Sequence, residues 1–321
     1  MFFRRKILAG LAALTLCTTA MAADWKPESL DPIKLTINEW NGQILHTHIV
    51  GEILKRMGYN VQLVVAGYFP QLIAMQDGSV SFALEIATTN IGDALKKALA
   101  TGKVIDIGDE GPIARETWYY PAYMEEQCPG LPDWKALKNC AAVFATTDTM
   151  PMGRLLDYPA DWGTTNPLRI KALDLPFVAI PAGSDGALLS ELKVAVANKT
   201  PLLMMWYRPS WTHLAYDLRE VKLPPYEEGC FDDPAVGINP HATYDCDFIK
   251  GEIRKVAWKG MQTKWPAALK LLTELHFEDK DYVENLRRTD IEGESMDKVV
   301  ADWMTTHESV WKAWIADSTK P

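Results

Sequence analysis

Short aliphatic runs alternate with longer segments of helical period from residue 33 onward, and that alternation leaves few architectures open to the chain. IKLTI (33–37), VQLVV (61–65), FALEI (82–86) and KVIDIG (103–108) read as strands, with helices near 42–57, from Pro70 and near 90–100. A strand–helix–strand succession calls for crossover connections, which lay helices on the faces of a mostly parallel sheet. The rhythm resumes with AAVFAT (141–146), the IPAG region (180–183), a helix near 185–197 and PLLMMW (201–206). Two α/β lobes accommodate the two blocks. The stretches 251–275 and 281–315 read as helices in which apolar residues, among them Trp258, Trp265, Trp303, Trp311 and Trp314, recur at three- and four-residue intervals, a core-packing pattern.

The N-terminus has another constitution. FFRRK, ILAGLAALTLCTTA and the AMA at 20–22 form the basic, apolar and small-residue regions of a bacterial-type secretory signal, so residues 1–22 are expected to be removed and the mature chain to reach the periplasm. The apolar region is too short for a membrane span, which needs about 20 residues. Arg4, Arg5 and Lys6 leave with it, moving the formal net charge from -9 to -12. Such an acidic chain lacks the basic patches that nucleic acid or anionic lipid require.

Four cysteines remain, Cys128, Cys140, Cys230 and Cys246. In an oxidising compartment an even count favours disulfides, and the local pairing 128–140 with 230–246 is the simplest of three connectivities. A zinc site competes with it, without a CxxC spacing to support it. The second pair brackets an aperiodic segment, KLPPYEEGCFDDPAVGINPHATYDCDF (222–248). Asp232, Asp233, Asp245, Asp247 and Glu252 in and after it are hard oxygen donors of the kind a structural calcium ion takes, although their spacing is not that of an EF-hand.

Aromatic residues carry the functional signal. Trp40, Trp118, Trp162, Trp206 and Trp211 fall near predicted strand ends, where ligands collect in open α/β sheets. Indole faces attract cations, and a quaternary or N-oxide ammonium has no N–H for ordinary hydrogen bonding, so an aromatic cage suits it. A carbohydrate clamp is the rival, since sugars also stack on indole. Hydrolytic or other enzyme chemistry finds little support: the six histidines form no HExxH, and no GxSxG, P-loop or GxGxxG stands in a fitting context. A secreted carbohydrate-active enzyme would need a pair of acids that nothing in the chain singles out.

INEWNGQ, GYFPQLIAMQDGSVSFALEIATTN, GPIARETWYYPAYM, PGLPDWKAL and LLMMWYRPSW, in that order, resemble the periplasmic substrate-binding proteins of ABC importers for glycine betaine and related solutes, most of all their trimethylamine N-oxide-binding branch. The resemblance implies a two-lobed type II binding-protein fold with a hinge, with 23–117 and 215–321 in lobe 1, 118–214 in lobe 2 and 222–248 as an extended acidic loop. It implies a monomer that binds a small methylated amine without catalysis and passes it to an ABC permease. It also implies an aromatic cage drawn from the five tryptophans, with Phe69 stacked on one of them, and it strengthens the calcium expectation. EIATT (85–89) replaces the segment that supplies part of the cage in the glycine betaine branch, so that cage does not transfer whole. An N-oxide oxygen can accept a hydrogen bond from a protonated carboxyl or share a proton with it, a role for which Glu116 comes first, followed by Glu110 and Glu85; Arg208 as an anchor favours a betaine carboxylate instead.

Overall fold

The computed structural model describes residues 25–320, so the expected signal segment lies outside the described residues. Strands β1 (Ile33–Ile37), β2 (Val61–Val65), β3 (Phe82–Ala87), β4 (Val104–Pro121), β5 (Pro129–Pro132), β6 (Gly153–Asp157), β7 (Phe177–Pro181), β8 (Met204–Arg208), β9 (Leu218–Glu220) and β10 (Lys250–Trp258) follow one another along the chain. The sheet runs β2-β1-β3-β10-β4-β8-β6-β7, with β9 added to β4. Its two flanks are parallel, β1 with β2 and β3, β6 with β7 and β8. Its centre is antiparallel, because β4 and β10 run against their neighbours. Helices 41–56, 70–76 and 88–100 serve the first flank, and 166–172 and 185–198 the second. Ser184 caps the last of these by accepting a hydrogen bond from Ala187 N, and Pro70 starts helix 70–76 at a position where a missing N–H does no harm. Among the described residues no helix is long and apolar enough to cross a membrane.

Three sequence expectations change. AAVFAT is not a strand: Ala141–Phe144 continue the helical turn Leu137–Cys140, as alanine-rich backbone prefers, and the strand of this region is GRLLD at 153–157. The first part of 251–275 is β10, not helix. Lys255 occupies one of its buried positions and obscures the apolar pattern; the ammonium donates to Thr273 O at 2.8 Å, at the C-terminal end of helix 266–274, and burial pushes its pKa down to about 8. PLLMMW is displaced, since β8 spans 204–208 and so holds Trp206 and Tyr207 within the strand. The remaining C-terminal residues form helices 279–290, 296–306 and 308–318, and Trp265, Trp303 and Trp311 are buried among them.

β4 joins the two halves. It pairs with β10 up to Arg115 and with β8 from Arg115 to Tyr119. The return crossing falls between Glu220 and Lys250, because β9 still pairs with Tyr119–Pro121; the expected lobe boundary stood nearer residue 215. That return is the acidic loop, and both disulfides are local, Cys128–Cys140 and Cys230–Cys246. The loop docks on Arg169, a fully buried guanidinium of helix 166–172 whose Nε donates to Cys246 O at 2.8 Å and whose Cζ lies 3.6 Å from the Phe248 ring centroid. Burial pushes its pKa down to about 10. Arg169→Met keeps the bulk and removes these bonds, so it is expected to cost about 2–3 kcal/mol by leaving buried acceptors unpaired. Denaturant unfolding measures that loss, and limited proteolysis is expected to cut faster within 222–249.

Candidate functional site

A cavity of about 60 Å³ lies where the two flanks meet, walled by Trp40, Tyr68, Glu85, Glu116, Trp162, Tyr207, Arg208 and Tyr282 together with Asn90 and a few apolar residues. Its aromatic residues come from separate elements. Trp40 directly precedes helix 41–56, Tyr68 follows β2, Trp162 ends the turn after β6, Tyr207 lies on β8 and Tyr282 on helix 279–290. Trp40 meets Trp162 edge-on, with ring centroids 5.1 Å apart and planes at 69°, so the two halves touch through an indole pair. Tyr68 stands edge-on to Trp40 at 5.2 Å, and Tyr158 to Trp162 at 5.2 Å.

Two carboxyls face these rings. Glu85 Oε2 accepts a hydrogen bond from Trp40 Nε1. Burial, then the neighbouring Glu110 charge, holds the Glu85 carboxyl well above the ordinary carboxylate range, against the Trp40 hydrogen bond. Glu116 Oε2 accepts a hydrogen bond from the Thr89 hydroxyl, and burial raises its pKa too. Arg208 is the cationic residue of the wall; its side chain is 48% exposed and its Nε lies 3.9 Å from Glu220 Oε1.

Strand register decides which expected residues arrive here. Glu116 pairs with Tyr207 across β4 and β8 and shares its face. Trp206 has the opposite orientation by the two-residue alternation of a strand, and its Nε1 donates to Thr212 Oγ1 at 2.7 Å. Trp118 shares the face of Glu116 but stands one step further along, where its Nε1 donates to Asn166 Oδ1 at 2.7 Å inside the core. Trp211 belongs to the other core cluster and donates to Asp290 Oδ2 at 2.7 Å. The structure therefore brings together Trp40, Trp162 and Glu116, and places Trp118, Trp206 and Trp211 elsewhere. Phe69 lines an adjoining cavity of about 220 Å³ that shares Glu116 and Asn90 with the first.

Tyr68, Tyr207 and Tyr282 were not singled out from sequence. The first two adjoin residues that were, in GYFP and WYRP, and β-strand alternation would have exchanged Trp206 for Tyr207. Tyr282 has no local signal, because it is one apolar position of a C-terminal helix that packs beside Gly42.

The acidic loop does not assemble its five acids. Asp247 accepts from Arg115 at 2.9 Å, Glu252 lies on β10 and pairs with Arg254 at 2.6 Å, and Asp232 and Asp233 are exposed. Asp245 is buried, accepting from Asn239 N through one oxygen while the other has no hydrogen-bond partner among the described residues. No three of these acids bring carboxylate oxygens within 4.8 Å of one another; among the described residues the grouping that does is His46, Glu85 and Glu110, which hydrogen-bond among themselves. As a set, the five donors do not fit one calcium ion in this arrangement.

Comparison with known proteins follows the same lines. The family described as the substrate binding domain of ABC-type glycine betaine transport systems (OpuAC) matches residues 31–306. A trimethylamine N-oxide-binding protein of Pelagibacter ubique (strain HTCC1062) is 29% identical over 316 residues, covering 96% of this chain and 98% of that protein. Lactococcal OpuAC, solved closed around glycine betaine, superposes with a TM-score of 0.70 at 14% identity over 89% of this chain and 99% of its own. An ABC-transporter choline binding protein in complex with choline gives 0.71 at 16% identity over 91% and 94%. At such identities the solved structures establish the two-lobed type II fold.

Gly42 supplies a direct check of the cavity. A Cβ there would overlap the Tyr282 hydroxyl, so Gly42→Ala is expected to displace Tyr282 from the wall at about 1–3 kcal/mol of stability. Thermal unfolding reads the loss, and the tryptophan emission of Trp40 and Trp162 is expected to shift with it.

Proposed function

The chain belongs to the substrate-binding domains of ABC-type glycine betaine transport systems, and from that premise we propose that it is an exported, monomeric receptor that encloses trimethylamine N-oxide between its lobes and hands it unaltered to a membrane permease. The observation that carries this reading is the indole pair of Trp40 and Trp162, one from each half, beside two buried carboxyls. A trimethylated ammonium offers methyl surface and positive charge to such rings, and each cation–π contact contributes about 0.5–2 kcal/mol. Glu85 and Glu116 favour the cation, and in protonated form they donate to an N-oxide oxygen. In ionised form the same two acids repel the carboxylate of a betaine. The likeness to the Pelagibacter ubique trimethylamine N-oxide-binding protein supports the same solute.

Arg208 favours a second reading, glycine betaine, whose carboxylate it is placed to receive. Choline, which has a hydroxyl in place of the anion, is compatible with the acids. Calorimetric titration separates these: trimethylamine N-oxide is expected to bind near the micromolar range, with glycine betaine at least about tenfold weaker. Tighter binding of glycine betaine would reverse the assignment, and ligand consumed during titration would replace a receptor with an enzyme. Trp162→Ala is expected to weaken trimethylamine N-oxide about tenfold or more through the lost cation–π contact. Trp118→Phe is expected to lower stability by about 1–2 kcal/mol through the unpaired Asn166 oxygen, with little change in affinity.

A further inference from the structure

Trp211 does not reach the cavity, yet it is carried by one half of the molecule and buried in the other. The chain arrives at it directly from β8, which pairs with β4 and β6, and crosses back to the first flank only after Glu220. Its indole is nevertheless 2% exposed within the core cluster that holds β1, helix 41–56 and Leu286 of helix 279–290. The crevice around it is lined by Asn41, Leu286 and Asp290 from one half and by Asp185, Leu189 and Tyr207 from the other. Tyr207 is common to this crevice and to the ligand cavity. Separating the halves would return a buried indole to water, which opposes opening.

Asp290, the last residue of helix 279–290, receives the contact through two different groups. Its Oδ2 accepts from Trp211 Nε1 at 2.7 Å. Its carbonyl oxygen, at the end of a helix where no further turn supplies a donor, accepts from Lys193 Nζ of helix 185–198 at 2.9 Å. The same ammonium lies 5.5 Å from the Trp211 ring centroid. Both donors therefore belong to the second half. The carboxylate is oriented from its own half, Oδ1 accepting from Asn41 Nδ2 at 2.6 Å and from Thr289 Oγ1 at 3.0 Å. Asn41 directly follows Trp40, so this carboxylate also tethers the helix start that presents the Trp40 indole to the cavity. Asp185 is the acid that faces it across the crevice, and burial followed by the Asp290 charge pushes the Asp185 pKa up to about 7.

We propose that Trp211, Lys193 and Asp290 form a latch that holds the two halves closed and sets the affinity for the enclosed ligand without touching it. None of the three lines the ligand cavity. The effect on affinity rests on the receptor reading above. A ligand enclosed between lobes is held fully only by the closed form, so apparent affinity follows the closed fraction. The latch bonds are the same whatever occupies the cavity. Their loss therefore weakens every ligand by one factor, whereas loss of a wall residue changes the ratio between ligands. One hydrogen bond across the seam corresponds to about a two- to tenfold change in the closing equilibrium.

Two variants each remove one donor and keep most of the packing: Lys193→Met retains an apolar stem beside the indole, and Trp211→Phe retains a ring. Calorimetric titration near pH 6, where Asp185 is neutral, is expected to show each variant weakened about two- to tenfold for trimethylamine N-oxide and by the same factor for glycine betaine. Stopped-flow mixing is expected to place the loss in faster dissociation. Small-angle scattering of the ligand-free variants is expected to give a larger radius of gyration than the parent, with ligand-saturated samples coinciding. Unchanged affinity in both variants, with only the melting temperature lowered, would make the contact a fixed interface and overturn the proposal. Unequal factors for the two ligands would mark a distorted cavity and overturn it as well. A parent that binds no methylated amine, while both variants still expand in the ligand-free state, would refute the receptor reading and leave the latch standing.

Discussion

A single strand shared by two halves must satisfy two sets of partners, and β4 meets that demand by exchanging β10 for β8 at Arg115. The site depends on this exchange. Glu110 lies on the part that pairs with β10, Glu116 and Trp118 on the part that pairs with β8, and the cavity opens beside the transition. Arg115 holds the junction itself, with Glu220 at 3.2 Å and Asp247 at 2.9 Å. One side chain thereby ties β4 to β9 and to the acidic loop, the segments through which the chain returns. A backbone continuous through the junction also means that a shift of one half is felt at Glu116, whose neighbours come from both.

Buried charge is balanced in two different ways in the two informative regions. At the cavity, Glu85 and Glu116 have no buried arginine to pair with among the described residues, and burial raises the pKa of both carboxyls. In the acidic loop, protein cations do the balancing. Asp247 is paired with Arg115 and Glu252 with Arg254, while Arg169 stands among Phe231, Tyr244 and Phe248. The Cys230–Cys246 disulfide closes the loop over that guanidinium. Arginine thus supplies positive charge where the loop folds against the second flank, and the buried Asp245 is held by the Asn239 N–H.

Much of the fold was legible because the first flank obeys local rules: IKLTI and VQLVV have the boundaries that periodicity assigns, and the helices between strands start and stop within a residue or two of expectation. The centre of the sheet was less legible. KVIDIG was read as a six-residue strand, yet β4 continues through RETWYYP, because a strand flanked by antiparallel neighbours needs no crossover helix to interrupt it. β10 was hidden by Lys255, a charged residue at a buried position whose partners are helix-end carbonyls supplied only by the tertiary fold. Of the site, Trp40, Trp162 and Glu116 were recognisable from residue type and strand-end position. Glu85 ranked low because a carboxylate in the left-handed region within a strand has no sequence signature.

Counting indoles misjudges such a pocket, because tryptophan serves cavity and core equally well and orientation separates the two roles. Trp206 and Tyr207 are consecutive, yet alternation along β8 sends the indole to Thr212 and the phenol to the cavity. The consequence is a wall of two tryptophans and three tyrosines. Tyrosine presents the same kind of negative face over a smaller area and adds a hydroxyl that must find a partner: Tyr207 meets Asp185 at 3.4 Å, and Tyr68 accepts from Ala87 N at 2.9 Å. These bonds fix the rings from behind. A wall built this way loses some aromatic surface and gains rigidity, and the buried carboxyls Glu85 and Glu116 set its polarity.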